Sequence, residues 1–268
     1  MMIKKFLIGF ILVVFGISLG SVAFAQECEK PTCDFSMTFY SKYVWRGFEL
    51  SKDSLVMFPE ITISYKGFGF CVWGDFDTDY EGAKTGGNDT EWWETDWVLT
   101  YSNSLDVGFT DLNWTVGWIY YDVDAGDDEE WFLILGLDTI LNPEFSVWNG
   151  IEYGGDTWYL RLALSQSWDI PVCWPKEENK WSLDVGGWVG YWSAESEYTG
   201  LASDYDEWHD ATIWAGINIP VNEWCTITPS INYSFPLCSD SEDYIEASSF
   251  DGDDSDWFYG GVTVAVSF

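Results

Sequence analysis

Apolar and polar residues alternate one by one along most of this chain. In "TWYLRLALSQSW" (157–168), Trp158, Leu160, Leu162, Leu164 and Trp168 share one parity, while Tyr159, Arg161, Ala163, Ser165 and Ser167 share the other. A period of two over about ten residues predicts a strand with one apolar face. The same pattern runs through "LNWTVGWIY", "KWSLDVGGWVGYW" and the closing "WFYGGVTVAVSF". Helical periodicity is scarce.

Twelve such spans are predicted, at 35–49, 54–66, 68–79, 92–104, 110–123, 130–140, 145–155, 157–169, 181–194, 206–220, 225–237 and 256–268. An even count suits an all-β, closed antiparallel transmembrane barrel with both ends of the chain on one side. The connections alternate in kind. Brief turns ("KGFG", "SLDVG", "LNPEF", "PVCWPKEENK", "VNEW") follow the even strands, and longer acidic segments such as "DVDAGDDEE" and "CSDSEDYIEASSFDGDDSD" follow most odd ones. Short periplasmic turns and long external loops are the outer-membrane pattern. "SKDS" and "GGD" break it by being short where a long loop is expected.

Alternation alone does not say which face is wet. A water-soluble sandwich would bury the apolar face. Here that face carries Trp, Tyr and Phe near strand ends, like the aromatic girdles of membrane barrels. The opposite face carries Gly, Ser, Thr, Asn and isolated charges, which a dry core would not accept. The apolar side therefore meets lipid.

Residues 1–25 stand apart. Lys4 and Lys5, an apolar stretch from Phe6 to Leu19, and Ala23-Phe24-Ala25 form a secretory signal with cleavage after Ala25. The expected organisation is a signal peptide (1–25), a periplasmic segment (26–34) and the barrel (35–268). Loss of Lys4 and Lys5 leaves 9 basic against 45 acidic side chains, a balance of −36. So acidic a chain does not bind nucleic acid through charge attraction. With 19 Trp among its residues it is not a disordered acidic tail either.

"GGVTVAVSF" resembles the terminal strand signal that the assembly machinery of diderm bacteria reads, with Phe268 as its last residue. "MTFYSKYVWRGFELSKDS", followed by "GFGFCVWGDFD", resembles the opening of the Gcw_chp family of secreted, barrel-like bacterial proteins, which share an aromatic-x-[WF]-R-G core and a "VWG" segment. The resemblance covers about the first 50 mature residues. It implies location and fold, and supplies no catalytic residue.

Parity sorts the charges, because a charge facing lipid near the midplane costs about 2–4 kcal/mol. In the first span, Phe35, Met37, Phe39, Tyr43 and Trp45 are expected to face lipid, with Lys42 and Arg46 in the lumen. Arg161 joins them there. The expected inner acids are Glu60, Asp75, Asp77, Glu94, Asp96, Asp111, Glu152, Asp184 and Asp210. Glu60, on the neighbouring strand, is a plausible counter-ion for Lys42 or Arg46. Either the cations tie the walls together, or they face the acids across a constriction. Trp73, Trp148, Trp188, Trp192 and Trp214 are expected inside, as are Trp208 and Trp257.

No zinc, phosphate-loop or nucleophile motif is present. The sole histidine, His209, falls on the lipid parity. No cofactor is expected beyond weak Ca²⁺ at Asp251, Asp253, Asp254 and Asp256, whose spacing lacks the distal Glu of a calcium loop. Six cysteines leave several pairings open: Cys28 with Cys33, and one bridge among Cys71, Cys173 and Cys225, while Cys238 lies at the opposite end. The sequence thus predicts a narrow, porin-like channel for small polar or cationic solutes. The alternative is a non-conducting barrel that acts through its acidic loops.

Overall fold

The computed structural model describes residues 30–80, 89–123, 126–151, 157–173 and 180–268. Twelve strands close into an antiparallel barrel: β1 (Thr32–Tyr40), β4 (Val56–Tyr65), β5 (Phe68–Tyr80), β6 (Asp89–Asp106), β7 (Asp111–Val123), β8 (Asp128–Leu137), β9 (Glu144–Gly150), β10 (Trp158–Cys173), β11 (Lys180–Ala194), β12 (Tyr205–Pro220), β13 (Cys225–Pro236) and β14 (Trp257–Ser267). Each pairs with its sequence neighbour, and β1 meets β14 from Asp34↔Ser267 to Tyr40↔Gly261. Closure leaves no strand edge to be satisfied by lipid. At the seam, Phe268 N–H donates to Cys33 O at 2.9 Å.

The two faces separate as the alternation requires. Phe35, Phe39, Ile61, Ile63, Leu99, Leu164 and Ile231 project outward and stay exposed. Exposed aromatics form two girdles: Phe68, Trp168, Trp224 and Phe268 near the chain termini, and Trp92, Trp208 and Phe258 toward the other end. Between them the outer wall is apolar and the interior polar, the arrangement of a membrane-spanning barrel.

The turn between β4 and β5 shows how local sequence makes the hairpins. Lys66 and Gly67 both have positive φ (51° and 83°), the two-residue geometry whose twist matches the flanking strands. The opposite end is built differently. Residues 41–55 carry a miniature hairpin, β2 (Val44–Trp45) and β3 (Phe48–Glu49), and the long β13–β14 connection carries α2 (Ser239–Ser248); α1 (Ser196–Thr199) follows β11.

Eleven of the twelve spans overlap a strand of the barrel, residues 152–155 of the span 145–155 lying outside the described residues. The first does so only in part: β1 starts at Thr32 and stops at Tyr40, so residues 41–49 are not wall. The first external connection is then 41–55, and "SKDS" ceases to be an exceptionally short loop. "GGD" lies outside the described residues, as do the signal segment and Cys28. Cys33, Cys71, Cys225 and Cys238 are free. Cys71 sits opposite luminal Thr62, and Cys225 opposite lipid-facing Val266, so those two point to different sides of the wall.

Candidate functional site: an inward hairpin at the external mouth

Trp45-Arg46-Gly47-Phe48 forms the tip of the small hairpin, with positive φ at Arg46 (48°) and Gly47 (82°). Its geometry repeats that of Tyr65-Lys66-Gly67-Phe68, but here the turn dips into the barrel. Trp257 Nε1 donates to Gly47 O at 2.8 Å. His209 Nε2 lies 3.0 Å from Arg46 O, and Nδ1 lies 2.7 Å from the Tyr205 hydroxyl. A carbonyl only accepts, so Nε2 carries the proton and Nδ1 accepts from Tyr205. A Cβ at position 47 would lie 3.0 Å from Asp210 Cβ and 3.1 Å from Ile245 Cδ1, and the left-handed φ already favours glycine. Gly47 therefore lets the tip approach the wall.

Behind the tip, Phe48 packs on Trp192 (5.3 Å between centroids), His209 (5.0 Å) and Tyr244 of α2 (5.3 Å). α2 begins at a reciprocal cap between Cys238 and Ser241, and buries Ile245 against the same cluster. Tyr43 packs on Phe58, Trp73 and Trp93 on the other wall. Hairpin, wall aromatics and helix make one packed core within the outer half of the barrel. At the segment's base, Tyr43 N–H donates to Ser51 Oγ at 2.7 Å.

Charge holds the tip as well. Arg46 grips Glu130 with both terminal nitrogens, at 2.8 and 2.6 Å, and each side chain is 7% exposed. The guanidinium lies 4.3 Å from the Trp45 ring and 4.5 Å from that of Tyr159. Tyr121 adds a hydrogen bond to Glu130 at 2.9 Å. Lys42 bonds Glu49, lies 3.6 Å from Asp53, and sits over the Trp257 ring. A planar fork on a carboxylate fixes orientation as well as charge, which a lysine would not do.

Deeper in, Arg161 bonds Glu144 at 2.9 Å between Trp148 and Trp188. Asp210 accepts from Tyr159 at 2.8 Å and from Trp188 at 3.4 Å. A Cβ on Gly190 would fall 2.2 Å from Asp210 Oδ1, so glycine makes room for this carboxylate. On the terminal side of the hairpin, Asp184, Trp188, Trp214, Ser230, Asn232 and Thr263 line a polar cavity of about 370 Å³. Asn218 bonds Asp184 there.

The wall of β5 and β6 differs. Asp75, Asp77, Glu94 and Asp96 face inward without a cation among their described contacts. Trp93 donates to Asp75, and the Asp79 amide donates to Asp77 at 2.9 Å. One oxygen of each of the four acids is buried with no hydrogen-bond partner.

The structure places Arg161, Glu60, Asp75, Asp77, Glu94, Asp96, Asp184 and Asp210 on the inner face, together with Trp73, Trp148, Trp188, Trp192, Trp214 and Trp257, while Asp111, at the start of β7, is exposed. Glu152 lies outside the described residues. Lys42 and Arg46 are inside too, but on a folded-in hairpin. Tyr43 and Trp45, expected at the lipid, are packed inside as well. Glu60 is not the partner of either cation: its described bond is from Thr62, at 3.4 Å. Glu130 and Glu49 take that role, and neither is legible from strand parity.

His209 and Trp208 are reversed. His209 is 0% exposed and points inward, while Trp208 is 49% exposed on the outer face. The β11–β12 register shifts between Val189 and Tyr191, which moves the residues beyond it to the other parity. At the mouth, Asp251 pairs with Lys52 at 3.1 Å and Tyr233 donates to Asp256. Asp253 and Asp254 are exposed. Among the described residues no three acidic, His or Cys side chains gather as a metal site.

No family model matches the chain, so the resemblance to Gcw_chp proteins stands on its opening residues alone. No curated protein matches it either. Solved structures similar to it include Omp33 of Acinetobacter baumannii (7% identity, 88% of this chain and 98% of that one, TM-score 0.39). The β domain of the Bordetella autotransporter BrkA is another (12%, 89% and 98%, TM-score 0.40). OprB of Pseudomonas putida is a third (10%, 83% of this chain, TM-score 0.35), and the match spans only 61% of its length. Likenesses this distant say nothing of solute, activity or partner.

Proposed function

We propose that this chain is an outer-membrane barrel with a constricted, cation-favouring lumen. In this reading its first external segment folds inward to set the bore. The observation that carries the reading is the Arg46–Glu130 clamp, which holds the 41–55 hairpin inside the outer half of the barrel. The inner surface supports cation preference, since the acids of β5 and β6 outnumber the wall cations near them and the external loops are acidic. The 370 Å³ chamber supplies a polar space on the terminal side of the constriction. The expected leader, cleaved after Ala25, the Gcw_chp-like opening and the terminal Phe268 all support export and insertion by the assembly machinery.

The reading assigns no enzymatic step, and both ring nitrogens of the sole histidine are committed to holding the hairpin. A second reading has its own observation. The hydrophobic cluster of Phe48, Trp192, Tyr205, Ile245 and Trp257 is packed as a dry core, which suits a closed barrel acting through its loops. Planar-bilayer recording under a KCl gradient separates the two. A small current with a cation-selective reversal potential supports the channel. Electrical silence, with the barrel shown to be inserted, favours the closed barrel and refutes conduction.

A further inference from the structure

The cavity of about 370 Å³ on the terminal side of the hairpin is a recess in the inner wall, and the strand registers explain it. One row of paired positions runs Asp184, Gly216, Ser230, Gly261 and Tyr40 across β11, β12, β13, β14 and β1. The three middle positions carry two glycines and a serine, so the wall is thin there. Trp188 and Trp214 stand on the hairpin side of the row, and Tyr40 closes its β1 end. The rings are braced by the wall itself. Trp214 lies over Gly186, where a Cβ would come 2.7 Å from its Cζ2, and Tyr40 lies over Gly261, where a Cβ would come 2.8 Å from its Cδ1. Arg161 sits over the Trp188 ring at 5.4 Å, and the Trp188 indole nitrogen lies 3.4 Å from Asp210. The rings are thus seated before any guest arrives, and the volume lies in the range of small-molecule sites, about 300–1,000 Å³.

The polar groups around the recess are mainly neutral hydroxyls. Tyr40 pairs with Ser230 at 2.9 Å, and Thr263 pairs with Thr38 at 2.9 Å. Each pair spends one of its two protons, so a donor and several lone pairs remain. Thr228 donates to Asn218 at 2.8 Å and keeps its lone pairs. The carboxylate beside them is withdrawn: Asn218 donates to Asp184 Oδ2, and Asp184 Oδ1 is buried. Among the described residues no basic side chain lines the recess. A charged guest therefore finds no open counter-charge. A purely apolar guest would strip water from the hydroxyls and return no hydrogen bond. A neutral ring with apolar C–H faces and a rim of hydroxyls meets both demands, since its face lies on an aromatic ring while its rim both donates and accepts.

We propose that this recess binds one pyranose ring of an uncharged sugar. A face of the ring lies on Trp214, and its hydroxyls bond the Thr228, Ser230 and Thr263 side. This deepens the channel reading by naming a solute class, and rests on it only in taking the lumen as the side solutes reach. An uncharged solute is indifferent to the acidic field that favours cations. Binding is measured apart from current, so the site survives if the barrel proves silent, and conduction survives if the site proves empty.

The test is isothermal titration of the refolded full barrel, in zwitterionic micelles free of sugar headgroups, with the methyl glycosides of glucose, galactose and mannose. Cyclohexanol, a ring of the same size with a single hydroxyl, is the control. Saturable binding of at least one glycoside, with none of cyclohexanol, is expected on the wild-type protein. Gly216→Val fills the recess: a Cβ there meets Pro229 O, Ser230 Cβ and Thr228 Cγ2 at 3.5 Å, which is ordinary contact, so the strand accepts it. Confirmed folded by heat-modifiable migration, it should weaken the sugar at least tenfold. Trp214→Leu, which removes the stacking face, is the second variant and carries the same expectation. No saturable glycoside binding would overturn the proposal, as would equal binding of cyclohexanol or an unchanged affinity in either folded variant. The wild-type titrations decide whether a sugar is bound, and either variant decides where.

Discussion

Removing the charge of Arg46 should free the hairpin without opening the barrel. In Arg46→Met the stem keeps much of its contact with Trp45 and Tyr159, while both bonds to Glu130 go. Glu130 then stays 5% exposed, with the Tyr121 hydroxyl as its remaining described donor. Breaking a buried pair by deleting one partner costs about 3–5 kcal/mol, because the other charge is left uncompensated. At about 1.4 kcal/mol per decade, that moves the inward-to-free equilibrium of the hairpin by roughly two to three and a half decades. The barrel ladders do not involve Arg46 and should not notice. Hydrogen exchange reads this directly. Protection of the amides from Val44 to Leu50 should fall by about that factor, while strands such as β11 keep theirs. Removing Glu130 as well (Arg46→Met with Glu130→Gln) should restore much of the loss, since no orphan charge remains. If Arg46→Met leaves the 44–50 amides as protected as in wild type, the clamp does not hold the hairpin and the reasoning fails.

Three further outcomes follow from the same geometry. Gly47→Ala adds a Cβ 3.0 Å from Asp210 Cβ at a left-handed φ, so it should loosen the hairpin by about 1–3 kcal/mol in the same exchange measurement. Phe48→Ala empties the space between Trp192, His209 and Tyr244. It should lower the outer-mouth stability by about 3–5 kcal/mol, seen as loss of the near-ultraviolet aromatic signal at lower denaturant than the strand signal. Leu164→Arg puts a charge on the lipid face near mid-strand, where Leu164 is exposed. It should destabilise the barrel by about 2–4 kcal/mol in reversible urea unfolding from bilayers, and a cost near zero would mean that face is not at the lipid.

The wall was legible because the sequence alternates with a period of two and because lipid and lumen demand opposite chemistry. Trp158, Leu160, Leu162 and Leu164 could not be read otherwise. The mouth was less legible, for two physical reasons. A strand can end without a break in alternation: Lys42, Val44 and Arg46 keep the parity set by Tyr40, although the chain has turned inward. The available signal was the turn itself. "WRGF" repeats the aromatic-cation-Gly-Phe order of "YKGF", which does mark a hairpin, and both have positive φ at the cation and the glycine. The second reason is the bulge. A register shift in β11–β12 reversed Trp208 and His209, and one between Asp75 and Phe76 accompanies Trp92 outside and Trp93 inside. No residue type announces such a shift, and period-two reasoning fails beyond it. The partners of Arg46 and Lys42 were hidden likewise, since Glu130 is 84 residues away and reachable only once the hairpin folds in.

The inward course of residues 41–55 is the claim on which the rest depends, and thiol accessibility tests it most directly. Ser51 is 1% exposed, whereas the Asp53 side chain two residues on is 84% exposed. Intact cells carrying Ser51→Cys or Asp53→Cys, each with Cys238→Ser to remove the free thiol at the mouth, are treated with a membrane-impermeant maleimide. The account predicts rapid labelling at position 53 and protection at position 51 until the protein is denatured. Equal labelling at both positions would mean the segment is an ordinary external loop, and would contradict the account.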